Sequence, residues 1–177
     1  MIPEVHYENL GLIDYKEAWD YQENLFKSTV DLKIQVRKGE SEEATKNYLL
    51  FCQHPHVYTL GKSGKKDHLL LDDQGLQEKE ARYYEINRGG DITYHGPGQL
   101  VVYPIFDLDH FFSDLHSYLR FLEEALINTR TEWGINSCCV NRLTGVGYGG
   151  ERGQARKVCA IGVQIGRQMT NNDVYWW

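Results

Sequence analysis

The feature that most constrains the fold of this chain is a glycine-rich stretch between two segments with the composition of strands. Arg88 to Gln99 contains four glycines and one proline among charged and hydroxyl side chains, and it is flanked by Tyr83–Ile86 and Leu100–Ile105. Glycine permits backbone conformations that other residues disfavour, and proline fixes its own φ. The pattern predicts two strands joined by a long polar loop of the kind that often carries function. A solvated turn is the alternative, although a turn needs only about two to five residues.

Composition narrows the class of protein. The 177 residues are 41% hydrophobic and 25% charged, which predicts a single globular domain over residues 1–177. The net charge of -6 argues against broad binding to nucleic acid or to anionic membranes. No apolar run has the length of a membrane span, and the first residues lack the pattern of a signal peptide. The four cysteines form no C-x-x-C pair, so we expect a cytoplasmic protein, and we expect it to be a monomer.

Hydrophobic periodicity predicts the main elements. A helix is expected from Asp14 to about Val30 and another within Asp107–Trp133. The charged segment Arg37–Lys46 is expected to be a loop or the start of a short second helix. Strands are predicted at Tyr48–Cys52, Val57–Leu60 and Lys157–Ile165.

Two other motifs resemble ligand sites only superficially. His54 and His56 are metal-ligand types, but no third ligand lies at a recognisable spacing, so we expect no metal. The segment Gly61–Asp67 is basic and contains glycine, yet it lacks the spacing of a phosphate-binding loop. It is interpreted as a mobile surface loop or as a docking patch formed by its lysines, which are Lys62, Lys65 and Lys66.

A lysine at the start of an otherwise apolar strand calls for an explanation. Lys157 could reach solvent from the strand end. Alternatively, it is a partly buried ammonium that faces the glycine-rich stretch, where it could lower the pKa of a thiol or stabilise negative charge on a carbonyl oxygen. A period of two places Cys159 on the same face as Lys157, so this thiol is a candidate for a lowered pKa.

Three motifs together resemble the lipoyl(octanoyl) transferase (LipB) family. Arg88-Gly89-Gly90 followed by Thr93-Tyr94-His95-Gly96-Pro97-Gly98-Gln99 is similar to the signature of that family. The segments His54–Gly61 and Lys157–Val163 are similar to its upstream strand and its lysine strand. The resemblance implies an α/β (α+β) fold with a mixed central β-sheet flanked by helices, as in biotin and lipoate ligases.

The resemblance also implies an activity. The family moves an octanoyl group from acyl carrier protein, through a thioester on an enzyme cysteine, to a lysine of lipoyl domains in 2-oxoacid dehydrogenases or the glycine cleavage H protein. Lys157 would activate the cysteine and the incoming amine, and no cofactor is implied. The implied substrate-binding residues are Arg88, Gly89, Gly90, Asp91, Ile92, Thr93, Tyr94, His95, Ala160, Ile161 and Gly162.

The chain departs from the family pattern near its end. The family has a histidine-glycine segment and then a cysteine after a proline, whereas this chain reads QMTNNDVYWW after Arg167. We therefore expect the domain to be truncated at its C-terminus and to lack the acyl-acceptor cysteine, with Cys159 as the nearest substitute. Two alternatives stay open, an ATP-dependent lipoate or biotin protein ligase and a non-catalytic binder of acyl groups or carrier protein.

Overall fold

The structure is a computed structural model that describes residues 3–111, 114–139, 144–148, 156–166 and 169–176. Its helices are α1 Tyr15–Lys38, α2 Asp73–Glu78 and α3 Leu115–Glu132. Its strands are β1 Val5–Leu12, β2 Asn47–Gln53, β3 Val57–Leu60, β4 Arg82–Glu85, β5 Ile92–His95, β6 Leu100–Asp107, β7 Cys138–Cys139, β8 Gly145–Tyr148, β9 Arg156–Gly166 and β10 Met169–Trp176.

The strands form a large sheet and a small one. The large sheet has the order β1-β2-β6-β10-β9-β8-β7, and the small sheet has the order β4-β3-β5. The pairs β1–β2 and β3–β4 are parallel, whereas the other neighbours are antiparallel. The predicted mixed sheet flanked by helices is therefore confirmed.

Helix α1 extends beyond its predicted end at Val30. Asp14 caps its start by accepting a hydrogen bond from the amide of Lys16, and Gly39 ends it in the left-handed conformation at φ 74°. The predicted loop is confirmed for residues 39–46, but the prediction was wrong for Arg37 and Lys38, because the helix continues to Lys38. The periodic pattern is interrupted by Lys33, which is buried but forms an ion pair with Asp107 at the end of β6. Tertiary contacts thus support a turn of helix whose composition is polar.

The large sheet has a helix on each face. Val101, Tyr103 and Ile105 of β6 pack with Ala18 of α1 in one core cluster. The alternate residue Val102 belongs to a second cluster, in which buried residues of β8, β9 and β10 lie beneath α3. Alternation along β6 therefore fills both cores, which explains why nearly the whole strand is buried.

The small sheet packs against the start of α1. The ring of Tyr15 stacks on Tyr84 of β4 and on His95 of β5, with centroids 5.6 and 5.9 Å apart. Strand β5 lies inside the stretch that was expected to be one continuous loop. Its β-branched and aromatic residues favour pairing with β3, and this pairing divides the predicted loop in two.

No helix among the described residues is both long enough and apolar enough to cross a bilayer.

Candidate active site

Lys157 and the loop of residues 88–91, called here the Arg88 loop, line one cavity of about 360 Å³. Thr93 and the segment 160–162 complete its lining. An adjoining cavity of about 400 Å³ shares Thr93, Lys157 and Ala160. It is also lined by Ile92, Tyr94, Val158 and Cys159. One wall of this cleft thus belongs to the small sheet and the other to β9 of the large sheet.

The Arg88 loop is held by the backbone of the turn that follows β3. The amides of Gly61, Lys62 and Ser63 donate to the carbonyl oxygens of Asp91, Arg88 and Gly90 at 3.2, 3.0 and 3.2 Å, respectively. A Cβ at Gly61 would lie 2.5 Å from the carbonyl oxygen of Gly90, so glycine is needed for this close approach. Backbone hydrogen bonds therefore join this turn to the loop that lines the cavity.

The guanidinium of Arg88 ties the loop to the strands beside it. Its Nη2 donates to the carbonyl and hydroxyl oxygens of Thr59 at 3.2 and 3.1 Å and also to the hydroxyl of Thr93. Thr59 is fully buried in the middle of β3. Arg88 was expected to bind substrate, and it does line the cavity, but these contacts make its side chain a clamp that positions the loop.

A histidine that the sequence reasoning missed holds the end of the Arg88 loop. The Nδ1 of His68 lies 2.8 and 2.7 Å from the two carboxylate oxygens of Asp91. This hydrogen bond lowers the pKa of Asp91, although both side chains are largely open to solvent. No motif in the sequence marks His68, because its partner Asp91 is distant in the chain.

Tyr94 is supported from outside the cleft. Its ring stacks on His56 with centroids 5.9 Å apart, and its hydroxyl is hydrogen-bonded to Nδ1 of the same histidine. Burial raises the pKa of Tyr94. His54 and His56 therefore have different partners. His56 contacts Tyr94, whereas His54 is buried and hydrogen-bonded to the carbonyl oxygen of Ile13 and the hydroxyl of Tyr103.

The side chain of His95 lies in the core and lines neither of these two cavities. It is 2% exposed, and its Nδ1 is 2.6 Å from Oε1 of Gln99. Burial lowers its pKa to about 4. The expectation that residues 88–95 all line the site therefore holds for the lining of this cleft only as far as Tyr94.

A β-bulge in β9 separates Lys157 from Cys159. Lys157 pairs with Gly147 and Cys159 with Val146, so two steps on β9 match one step on β8. Lys157 and Ala160 line both cavities of the cleft. Cys159 is buried in the core cluster beneath α3 and contributes to the lining of the adjoining cavity alone. The period-two prediction of a shared face was wrong at this point.

The electrostatics of the two side chains also differ from the prediction. Burial raises the pKa of Cys159 to about 12, outweighing the opposite influence of Lys157. The predicted lowering of this thiol pKa is therefore wrong. Lys157 is exposed rather than partly buried. Gly145 of β8 lies close to this part of β9, since a Cβ there would be 2.3 Å from the carbonyl oxygen of Cys159 and 2.8 Å from the Cε of Lys157.

Within the described ranges, no group of three or more His, Cys, Asp or Glu side chains is arranged to hold a metal ion. The polar groups that line the two cavities of the cleft include the Lys157 ammonium, the Arg88 guanidinium, the Asp91 carboxylate, hydroxyls and the peptide groups of a glycine-bearing loop. Such a set suits the binding of a carbonyl compound and the stabilisation of charge on its oxygen.

The sequence is similar to those of known proteins over most of its length. Residues 14–173 match the model of the lipoyl protein ligase A/B catalytic domain. The octanoyltransferase of Christiangramia forsetii is 57% identical over 170 residues, covering 96% of this chain and 73% of that protein. The octanoyltransferase of Cytophaga hutchinsonii is 57% identical over 166 residues, covering 92% of this chain and 68% of its own length.

Solved structures share the fold at low sequence identity. A bipartite lipoate protein ligase from Thermoplasma acidophilum superimposes with a TM-score of 0.68 at 14% identity, covering 98% of this chain and 61% of that one. A lipoate-protein ligase A bound with ATP gives a TM-score of 0.64 at 15% identity, covering 99% and 66%, respectively. At this identity the likeness concerns the fold alone.

Proposed function

The chain belongs to the octanoyltransferase family, within the lipoyl protein ligase A/B catalytic domain, and from this membership we propose its reaction. It takes an octanoyl group from acyl carrier protein and delivers it to a lysine of a lipoyl domain. The acceptors are the lipoyl domains of 2-oxoacid dehydrogenases and the glycine cleavage H protein.

The observation that carries this proposal is the cavity that Lys157 shares with the Arg88 loop. An octanoyl thioester bound there would place its carbonyl group beside the Lys157 ammonium. Negative charge develops on that oxygen during acyl transfer, and a positive group in the cavity lowers the barrier by stabilising it. Ile92, Ala160 and Ile161 supply apolar surface for the alkyl chain.

The proposed chemistry consists of two acyl-transfer steps. A thiolate attacks the carbonyl carbon of the carrier thioester, a new C–S bond forms, and the carrier thiolate leaves. The lysine amine of the lipoyl domain then attacks the second thioester, a C–N bond forms, and the departing thiolate takes the amine proton. Lys157 stabilises the oxyanion in both steps.

In this proposal the attacking thiolate is that of a separate thiol compound, because none of the four cysteines in the sequence is suited to attack the carrier thioester. Cys52 and Cys159 are each 1% exposed and lie in core clusters. Cys159 lines the adjoining cavity, but burial raises its pKa to about 12 and disfavours its thiolate. Cys138 and Cys139 are exposed on β7 but line neither cavity of the cleft, and burial together with a bond to Glu123 raises the pKa of Cys139. The chain's own contribution is therefore the acyl cavity and the activating ammonium.

Ligation that depends on ATP is the competing function. A structural neighbour of that class binds ATP, but it is only 15% identical, whereas the 57% identical relatives are octanoyltransferases. Transfer from a thioester is therefore favoured.

The test supplies the wild-type chain and a lipoyl domain with octanoate in one of two forms. Octanoyl carrier protein is supplied without ATP, and free octanoate is supplied with ATP, while binding and intact masses are measured. We expect octanoyl carrier protein to bind and, with a small thiol added, to yield an octanoylated lipoyl lysine. We expect free octanoate with ATP to leave that lysine unmodified, and the four cysteines to carry no octanoyl adduct.

Two results would count against the proposal. Octanoylation of the lipoyl lysine from free octanoate and ATP would identify a ligase. An octanoyl group on Cys159 would show that burial does not exclude this thiol from the reaction.

A further inference from the structure

A short loop at the rim of the cavity carries three exposed lysines. This lysine loop, residues 61–66, includes Lys62, Lys65 and Lys66, and all three are open to solvent. Its amides at positions 61–63 donate to the carbonyls of the Arg88 loop, which lines the cavity. The lysine loop is therefore joined through its backbone to a wall of the cavity.

The three ammonium groups are available to a partner. Across the residues that the structure describes, the ion pairs of lysine involve Lys16, Lys27, Lys33 and Lys38, and none involves the lysine loop. The loop conformation depends on backbone bonds, since the carbonyls of Lys65 and Lys66 accept from the amides of His68 and Leu69 at 2.9 Å. Replacing these side chains should thus leave the loop in place.

The sign of this local charge opposes that of the whole chain. The protein carries a net charge of -6, so its summed charge disfavours the approach of an acidic partner. Electrostatic complementarity at an interface mainly sets the association rate and the orientation of the partner. A basic loop joined to the cavity wall would attract an acidic protein to the neighbourhood of the cavity.

We propose that the lysine loop is the docking surface for the acidic acyl carrier protein that delivers the octanoyl thioester. This inference rests on the proposed function, because it names where the donor of that reaction binds. Backbone hydrogen bonds join the lysine loop to the Arg88 loop. The proposed docking surface is therefore attached to the wall of the acyl cavity.

The experiment measures the dissociation constant of octanoyl carrier protein for the wild-type chain and for Lys65→Glu/Lys66→Glu at two salt concentrations. At low ionic strength we expect the double variant to bind roughly tenfold more weakly, and the difference should shrink as salt screens the charges. Lys65→Gln/Lys66→Gln should fall between the two, because it removes the charges without reversing them.

Two controls separate this inference from the proposed function. Lys46→Glu/Lys79→Glu reverses two exposed lysines outside the lysine loop and should bind the carrier like the wild type. A small octanoyl thioester without carrier protein should bind equally well to the wild-type chain and to Lys65→Glu/Lys66→Glu.

The outcomes then differ in meaning. If both double reversals bind the carrier like the wild type while the small thioester still binds, the docking surface is overturned and the proposed function stands. If the wild-type chain binds neither the small thioester nor the carrier, both fail.

Discussion

Two glycines at the rim of the cavity have opposite reasons for being glycine. At Gly61 a Cβ would lie 2.5 Å from the carbonyl oxygen of Gly90, so the side chain is excluded by the protein itself. At Gly89 a Cβ would meet no atom within 4 Å, so the fold leaves this position open. Because Gly89 lines the cavity, we infer that the open space belongs to the ligand.

This contrast gives a paired prediction. Gly89→Ala should change the free energy of unfolding by no more than about 0.5 kcal/mol and weaken the binding of a small octanoyl thioester. Gly61→Ala should lower the free energy of unfolding by about 1–3 kcal/mol, because the Arg88 loop must shift. Urea unfolding and isothermal titration measure the two quantities. A Gly89→Ala protein that binds the thioester like the wild type would show that the ligand lies elsewhere.

At the scale of single elements, β5 separates two environments. Ile92, Thr93 and Tyr94 line the cleft, whereas His95 at the end of the strand is buried against Tyr15. Its ring centroid is 6.1 Å from that of His54, which is also buried and whose pKa burial also lowers. The core behind the site thus depends on two imidazoles that stay neutral.

The buried histidines make stability depend on pH. Burial lowers the pKa of His95 to about 4, whereas the unfolded chain has its ordinary value near 6.5. Between these values the unfolded state binds a proton that the folded state does not, so stability is full above pH 6.5 and falls as the pH drops toward 4. The loss from His95 reaches about 3 kcal/mol at pH 4.

Urea unfolding of the wild type, His95→Gln and His116→Gln between pH 4.5 and 7.5 measures this effect. His95→Gln should be less stable at pH 7.5 and should lose less stability on acidification. His116 is exposed, so His116→Gln should follow the wild type. An unchanged pH dependence in His95→Gln would refute the assignment.

Sequence patterns predicted the positions of the strands better than they predicted which side of a strand each side chain occupies. The strands at residues 48–52 and 57–60 were found from short apolar runs, and the observed strands extend them by at most one residue at either end. The bulge in β9 could not be found in this way, because it is defined by the register against β8. The burial of His95 likewise depends on Gln99 and Tyr15, which pattern alone does not bring together.

At the scale of the whole molecule, the candidate site exists only where the two sheets meet. The small sheet contributes the Arg88 loop, and the large sheet contributes Lys157. Motif resemblance predicted that these residues belong to one site, but it gave no reason for their meeting. That reason is tertiary. Arg88 donates hydrogen bonds to Thr59, the turn at Gly61 is hydrogen-bonded to the Arg88 loop, and Gly145 lets β8 lie close to β9 at Lys157 and Cys159.

The measurement that tests this account most directly is octanoyl transfer from octanoyl carrier protein to a small thiol added in solution, which supplies the attacking group. The wild-type chain should accelerate this exchange above the uncatalysed rate, and Lys157→Ala should lower the acceleration roughly tenfold to a hundredfold without changing the free energy of unfolding. Lys79→Ala, which alters an exposed lysine outside the cleft, should match the wild type. If Lys157→Ala accelerates the exchange as well as the wild type does, the ammonium of residue 157 has no part in activating the thioester.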